Sequence, residues 1–233
     1  YFNQPENPNS ISHSSVFSIG QDQQGNMWFG TMNALSRLDP ETGRFTNYPC
    51  AGQIYPILLD GQSTIWAGTI GFGLAKFNVD QQSFTYYSNE PGNDYGISDN
   101  SVMSLFKDSR DRLWAGTFAG GLCEFDRLVE KFTCYVHDPG DPGSISNNVV
   151  LDIHEDEAGI LWVATAGGRA EVHFGKGNFA RLDDNSRLEI VGLPKKDSNQ
   201  VRLRVQKGSV YLSVFNLDRE KSIEIHTADA SFY

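Results

Sequence analysis

The chain has 233 residues, and 29 Asp and Glu against 19 Lys and Arg give it a formal charge of −10. A pI near 4.9 argues against a nucleic-acid partner, whose footprint is a basic patch. Apolar residues at 39%, joined by 23 Gly, reach the proportion of ordinary globular chains, so wholesale disorder is excluded; no apolar run nears the ~18 residues of a membrane span.

Residues 1–10 are polar and show neither the basic nor the apolar part of a secretory signal. Position 1 is Tyr, not Met; the N-terminus is expected to be truncated, and the missing signal says nothing about export. The first informative feature is the placement of tryptophan. Trp28, Trp66, Trp114 and Trp162 stand at intervals of 38, 48 and 48, the range of propeller blades and other arrays. Asp22, Asp60, Asp108 and Asp156 precede them by six residues, and Thr31, Thr69, Thr117 and Thr165 follow by three. Gly30, Gly68, Gly116 and then Ala164 follow by two. Ile11-Ser12, Ile97-Ser98 and Ile145-Ser146 open three of the units, and Phe-Thr-x-Tyr recurs at 45–48, 84–87 and 132–135.

Each unit reads as four short strands. Residues 15–19 and 101–105 are strand-like runs rich in β-branched and apolar residues. Residues 22–25 and 156–159 are hairpin turns, with Asp bonding its own backbone and Gly taking positive φ. Asp111 holds the Gly place in the third unit and is expected to reach the left-handed region. Trp-x-Gly-Thr is the second strand; its Trp fills the gap between neighbouring blades and its Gly permits close approach. Leu-x-x-Phe-Asp and Phe-Thr-x-Tyr are the third and fourth strands. The predicted class is all-β, a partial β-propeller of about 3.5 four-stranded blades.

These motifs resemble the two-component regulator propeller repeat. The third unit carries them best, in Ile97-Ser98-Asp99-Asn100-Ser101-Val102, Leu113-Trp114-Ala115-Gly116-Thr117, Gly121-Leu122 and Phe125-Asp126. The resemblance covers about residues 11–168; the second unit lacks the Ile-Ser start, and the fourth is expected to stop after Thr165. It implies arrays that close seven-bladed propellers in the periplasmic sensor part of hybrid histidine kinases, many of which detect carbohydrate fragments.

At Gly167-Gly168 the motif breaks and the charge changes: residues 1–168 hold 8 basic and 20 acidic side chains, residues 169–233 hold 11 and 9. The expected domains are 1–167, incomplete propeller blades, and 168–233, a truncated β-rich segment. Strands are predicted over 201–205, 209–214 and 223–227, with turns at 183–185 and 207–208. The stretches 168–172, 182–186, 207–211 and 225–230 resemble FecR-like domains, β-rich extracytoplasmic domains of envelope signalling proteins. The join reads either as a natural fusion or as an artefact of assembly or truncation.

No phosphate-binding loop, nucleophile elbow or zinc spacing occurs, so no catalytic residue, cofactor or metal ligand is assigned and a non-enzymatic role is expected. The four Asp read as turn residues or, alternatively, as calcium ligands. The four Trp read as core or as sugar platforms. Arg202, Arg204 and Lys207, with Lys195-Lys196, make a solvated strand face or an anion-binding one. Cys123 and Cys134 lie on consecutive strands of one hairpin, where a disulfide and two free thiols both remain open. Loops 89–96 and 138–144 are ligand loops or plain connectors. The expectation is an extracytoplasmic ligand-sensing module of the periplasm or cell envelope, with an oligosaccharide ligand, and with protein partners or a homodimer through the propeller. The alternatives are a structural scaffold and a gene product without intact activity.

Overall fold

The structure is a computed structural model that describes residues 1–141, 144–156 and 159–166, and beyond them six strands by their backbone pairing alone. Every regular element described is a strand. β1 (Val16–Gln21), β2 (Met27–Thr31), β3 (Ala34–Leu38) and β4 (Phe45–Pro49) form a four-stranded sheet in chain order. β5 (Gln53–Asp60), β6 (Thr64–Ile70), β7 (Leu74–Asn78) and β8 (Ser83–Tyr87) form a second such sheet, and β9 (Val102–Lys107), β10 (Leu113–Thr117), β11 (Leu122–Asp126) and β12 (Lys131–Tyr135) a third. All neighbours within these sheets are antiparallel.

The fourth sheet opens with β13 (Val150–Glu155) and β14 (Leu161–Thr165) and runs on through β15 (Ala170–His173) and β16 (Phe179–Leu182). β17 (Arg187–Gly192) and β18 (Gln200–Lys207) form an antiparallel pair, β19 (Val210–Ser213) adds a fifth strand to the fourth sheet beside β16, and β20 (Ser222–Thr227) lies parallel to β18. The repeat motif stops after Thr165 as expected, but the fourth sheet runs on past it. β15 pairs with β14 from Leu161↔His173 to Ala164↔Ala170, across the expected boundary at 167/168. A ladder is made by backbone groups, so it continues although the Gly-Leu-x-x-Phe-Asp residues are missing. The strands predicted over 201–205, 209–214 and 223–227 correspond to β18, β19 and β20. Residues 142–143, 157–158, 183–186, 195–196 and 208 lie outside the described residues, and with them the expected turns at 183–185 and 207–208, the Lys195-Lys196 pair and parts of the 156–159 turn and of loop 138–144.

The first strands adjoin around a common centre, β1 beside β5, β5 beside β9 and β9 beside β13. The sheets thus fan out as wedge-shaped blades. The core lies between them. Trp28 of the first blade packs with Ile54, Ile65, Ala67, Ala75 and Phe77 of the second. Trp66 packs with Val102, Leu113, Ala115, Cys123 and Phe125 of the third, and Trp114 with Val150, Ile153 and Val163 of the fourth. Each Trp fills the joint to the next blade.

The Gly two residues on is explained by the same joint. A Cβ on Gly30 would come within 2.7 Å of the Ile54 side chain, one on Gly68 within 2.7 Å of Val102, and one on Gly116 within 2.5 Å of Val150. The space a side chain would need is filled from two sides, by the blade's own first strand at Ser18, Pro56 and Ser104 and by the next blade's β-branched residue. In the hairpin turns, Gly25 has φ 86° and Asp111 φ 64°, so Asp111 does take the left-handed conformation expected of it.

Candidate functional site

The Asp and Trp of each unit are joined by a hydrogen bond. The indole Nε1 of Trp28 donates to Asp22 Oδ2 at 2.8 Å, that of Trp66 to Asp60 at 3.0 Å, that of Trp114 to Asp108 at 2.9 Å and that of Trp162 to Asp156 at 2.8 Å. The other oxygen of Asp22 accepts the amides of Gln24 and Asn26, and that of Asp108 the amides of Arg110 and Arg112. One carboxylate therefore closes the hairpin turn and satisfies the buried end of the ring. The sequence reading saw turn and core separately; the constant spacing of six was the signal that joins them.

Burial alone would raise the carboxyl of Asp22, but the bonds from Trp28, Asn26 and Gln24 hold it below its ordinary 3.8. Asp108 is likewise lowered against its burial, by Trp114 and Arg112. Asp60 differs: it accepts from Lys107 Nζ at 2.7 Å and from Arg127 at 2.8 Å, both on the third blade. These cations and Trp66 outweigh burial and lower its pKa too. Among the described residues no group of three or more His, Cys, Asp or Glu is placed to hold a metal ion.

The opposite end of the blades is built by the remaining repeat residues. Thr31, Thr69 and Thr117 are fully buried, and their hydroxyls donate to the carbonyls of Ala34, Gly73 and Gly121, bracing the turn between second and third strands. Thr165 bonds Ser146 at 2.7 Å. Asn100 and Asn148 clamp the interblade links: their side-chain oxygens accept the amides of Asn89 and His137, both at 2.6 Å. Their backbone carbonyls accept Gly73 N and Gly121 N from the preceding blade. Loop 89–96 presents Tyr95, 57% exposed, with Lys131 Nζ 3.8 Å above its ring. Residues 138–141 and 144 turn in the same way as 90–93 and 96.

At this end every first strand carries a bulge. The pairing skips Phe17 in β1, Tyr55-Pro56 against one partner in β5, Met103 in β9 and Leu151 in β13. A bulge re-aims a side chain out of the ladder. All four bulged positions are large and apolar: Phe17 and Tyr55 are each 37% exposed and Leu151 50%, and Met103 is half-buried. Phe17 and Tyr55 stack with ring centroids 5.3 Å apart. Since the first strands adjoin, the four lie along the inner edge of the fan, where an apolar wall with a phenol group meets solvent. The sequence reading missed this row. Its trace was the pair of consecutive apolar residues, Val16-Phe17, Ile54-Tyr55, Val102-Met103 and Val150-Leu151, which breaks strand alternation at the same place in each unit.

Cys123 and Cys134, opposite each other on β11 and β12, are joined as a disulfide; Cys50 is free and half-buried. The pairing that the sequence left open is thus formed, because the register of the third and fourth strands brings the two residues face to face.

Residues 10–33, 96–119 and 144–167 match the family model described as two component regulator propeller. The chain is 33% identical over 90 residues to Histidine kinase P4 of Formosa agariphila, an alignment covering 34% of this chain and 7% of that kinase. Among solved structures it resembles the extracellular domain assigned to the hybrid two component system BT4673 of B. thetaiotaomicron, with a TM-score of 0.58 and 19% identity over 76% of this chain and 28% of that one. The corresponding domain of BT3049 gives 0.52 and 18% over 97% and 37%. PorZ, a surface component of the Porphyromonas gingivalis type-IX secretion system, gives 0.55 and 14% over 73% and 28%. The chain thus spans a small part of each relative, and at these identities the structures establish the fold: blades of a β-propeller. Three stretches in the first part of the chain are similar to the two component regulator propeller repeat.

Proposed function

We propose that this chain is a non-catalytic, ligand-sensing module of an extracytoplasmic signal-transduction protein, binding oligosaccharide along the inner edge of its fan. The observation that carries the reading is the row of bulged residues Phe17, Tyr55, Met103 and Leu151. Large apolar side chains are set beside solvent by a backbone device that serves no core. Aromatic rings offer apolar faces to the C–H faces of a sugar ring, and Tyr55 adds a polar tip. The matches to a histidine kinase and to extracellular domains assigned to two component systems support a sensor role. The Cys123–Cys134 bond suits an oxidising compartment outside the cytoplasm. For the described residues, no helix is long and apolar enough to cross a membrane. The FecR-like resemblance of residues 168–233 remains part of this proposal, with β15, β16 and β19 of that segment lending themselves to the fourth blade.

Calorimetry against a panel of oligosaccharides tests the reading. One class is expected to give heat, and Phe17→Ala with Tyr55→Ala to abolish it without loss of folded signal. No heat for any member, or heat unchanged in the double variant, would overturn it.

A further inference from the structure

The outer strands of the blades differ in what lies along their free edges. Phe45 N of β4 donates to Asn9 O at 2.9 Å, and Phe132 N of β12 donates to Tyr95 O at 2.9 Å, so in each case the incoming link crosses the edge. In the fourth sheet β19 pairs along β16. The link into the second blade is only residues 50–52, and it meets β8 at the tip of Tyr86, whose hydroxyl accepts from Ala51 N at 2.9 Å. Phe84 stands where Phe45 and Phe132 stand, opposite Phe77 as they are opposite Leu38 and Phe125. Its amide has no such partner among the described residues. Ile11 and Ile97 of the longer links pack on Phe45 and Phe132, which are 4% and 6% exposed; Phe84, without such an Ile, is half-buried.

β8 also lacks the devices that normally blunt an edge. Ser83-Phe84-Thr85-Tyr86-Tyr87 carries no charge and no Pro, and its pairing with β7 runs without a bulge. A straight, uncharged edge of this kind is a template for another strand. The register fixes which groups are free. Phe45 N and Phe132 N face away from their sheets, so Phe84 N does too. By the alternation of an antiparallel ladder, the N–H and C=O of Phe84 and Tyr86 then point outward and those of Thr85 point to β7. Laid antiparallel against itself about Thr85, the strand satisfies all of these groups. Phe84 faces Tyr86 of a second copy in a pair that exchanges both hydrogen bonds, once on each side of the axis. Thr85 faces its own equivalent at the closer, non-hydrogen-bonded position. Aromatic pairs and Thr–Thr pairs are favourable cross-strand neighbours, and no like charges meet.

We propose that the edge of β8 is a homodimer interface, at which two copies of this chain pair β8 with β8 antiparallel about Thr85 and join their second blades into one continuous sheet. The occupant is a second copy because the strand is complementary to itself, in its free backbone groups and in its side chains alike. The two-fold arrangement uses the same edge on both chains and therefore closes at two.

Sedimentation over a range of concentrations tests the proposal. Dimer is expected to appear at on the order of 100 µM, as for a small and transient interface. Thr85 is exposed, so Thr85→Lys and Thr85→Glu are each expected to keep the melting temperature within about 2 °C, as for a surface change. Each is expected to be monomeric, since like charges then stand directly opposite across the axis. Lys76 lies opposite Thr85 on β7; the Glu variant therefore adds no repulsion inside the monomer and carries the test if the Lys variant folds poorly. An equimolar mixture of the two variants is expected to restore dimer, with one chain of each, which a merely damaged surface would not do. The proposal is overturned by monomer at every concentration up to about 1 mM, by a dimer that persists in both variants, or by a mixture of folded variants that stays monomeric.

Discussion

Trp66 and Trp162 make the same bond to an Asp six residues back, yet Trp66 is 2% exposed and Trp162 half-buried. The difference separates two layers of stabilisation in the repeat. The Asp–Trp bond belongs to a single hairpin and forms with or without a neighbour. Burial of the ring comes from the next blade, whose side chains close over it. A blade therefore has its local geometry on its own and much of its stability on loan from the joint, as expected for arrays that couple to nearest neighbours.

The largest expected effect is at the buried ring. Trp66→Ala should cost about 3–5 kcal/mol in urea unfolding, as for a large core side chain, and Trp162→Ala well under half of that; equal losses would break the distinction. Next comes the glycine slot. Gly116→Ala pushes a methyl against Val150 and should cost about 1–3 kcal/mol, whereas Ala164→Gly, with no such joint among the described residues, should cost no more than about 1 kcal/mol. Asp60→Asn removes the nearer and more buried of the two carboxylates that Lys107 and Arg127 share, leaving the exposed Asp111, and should cost about 1–3 kcal/mol, with greater salt sensitivity in the wild type than in the variant. The smallest and broadest effect is that of acid. Asp22, Asp60 and Asp108 have lowered pKa values in the folded chain. Their contribution is thus fully present above the ordinary 3.8 and is lost as pH falls through the lower folded values. Stability should be flat from pH 7 to 5 and decline below 4, and less steeply in Asp60→Asn; a decline beginning near pH 6 would contradict these assignments.

The repeat was legible because its chemistry is local. Asp, Trp, Gly and Thr recur at fixed offsets, and a strand–turn–strand unit needs no partner to be read. The Asp60 cluster was not legible, since Lys107 and Arg127 come from the next blade and nothing in the hairpin of Asp60 names them. The bulged row was missed for a different reason. A consecutive apolar pair is as compatible with a core strand as with a bulge, and only the ladder shows which residue has been left out. The fourth sheet shows the limit of motif reading: β15 pairs through backbone groups in a stretch whose side chains had departed from the pattern.

The Cys123–Cys134 bond lies inside one blade, spanning the turn between β11 and β12, where Leu128 is 94% exposed. A protease that cuts beside Leu128 therefore severs the chain without releasing either piece. The nicked protein should migrate as one species on a non-reducing gel and as two after reduction, so that damage at this tip passes unnoticed until the thiol balance around the protein changes.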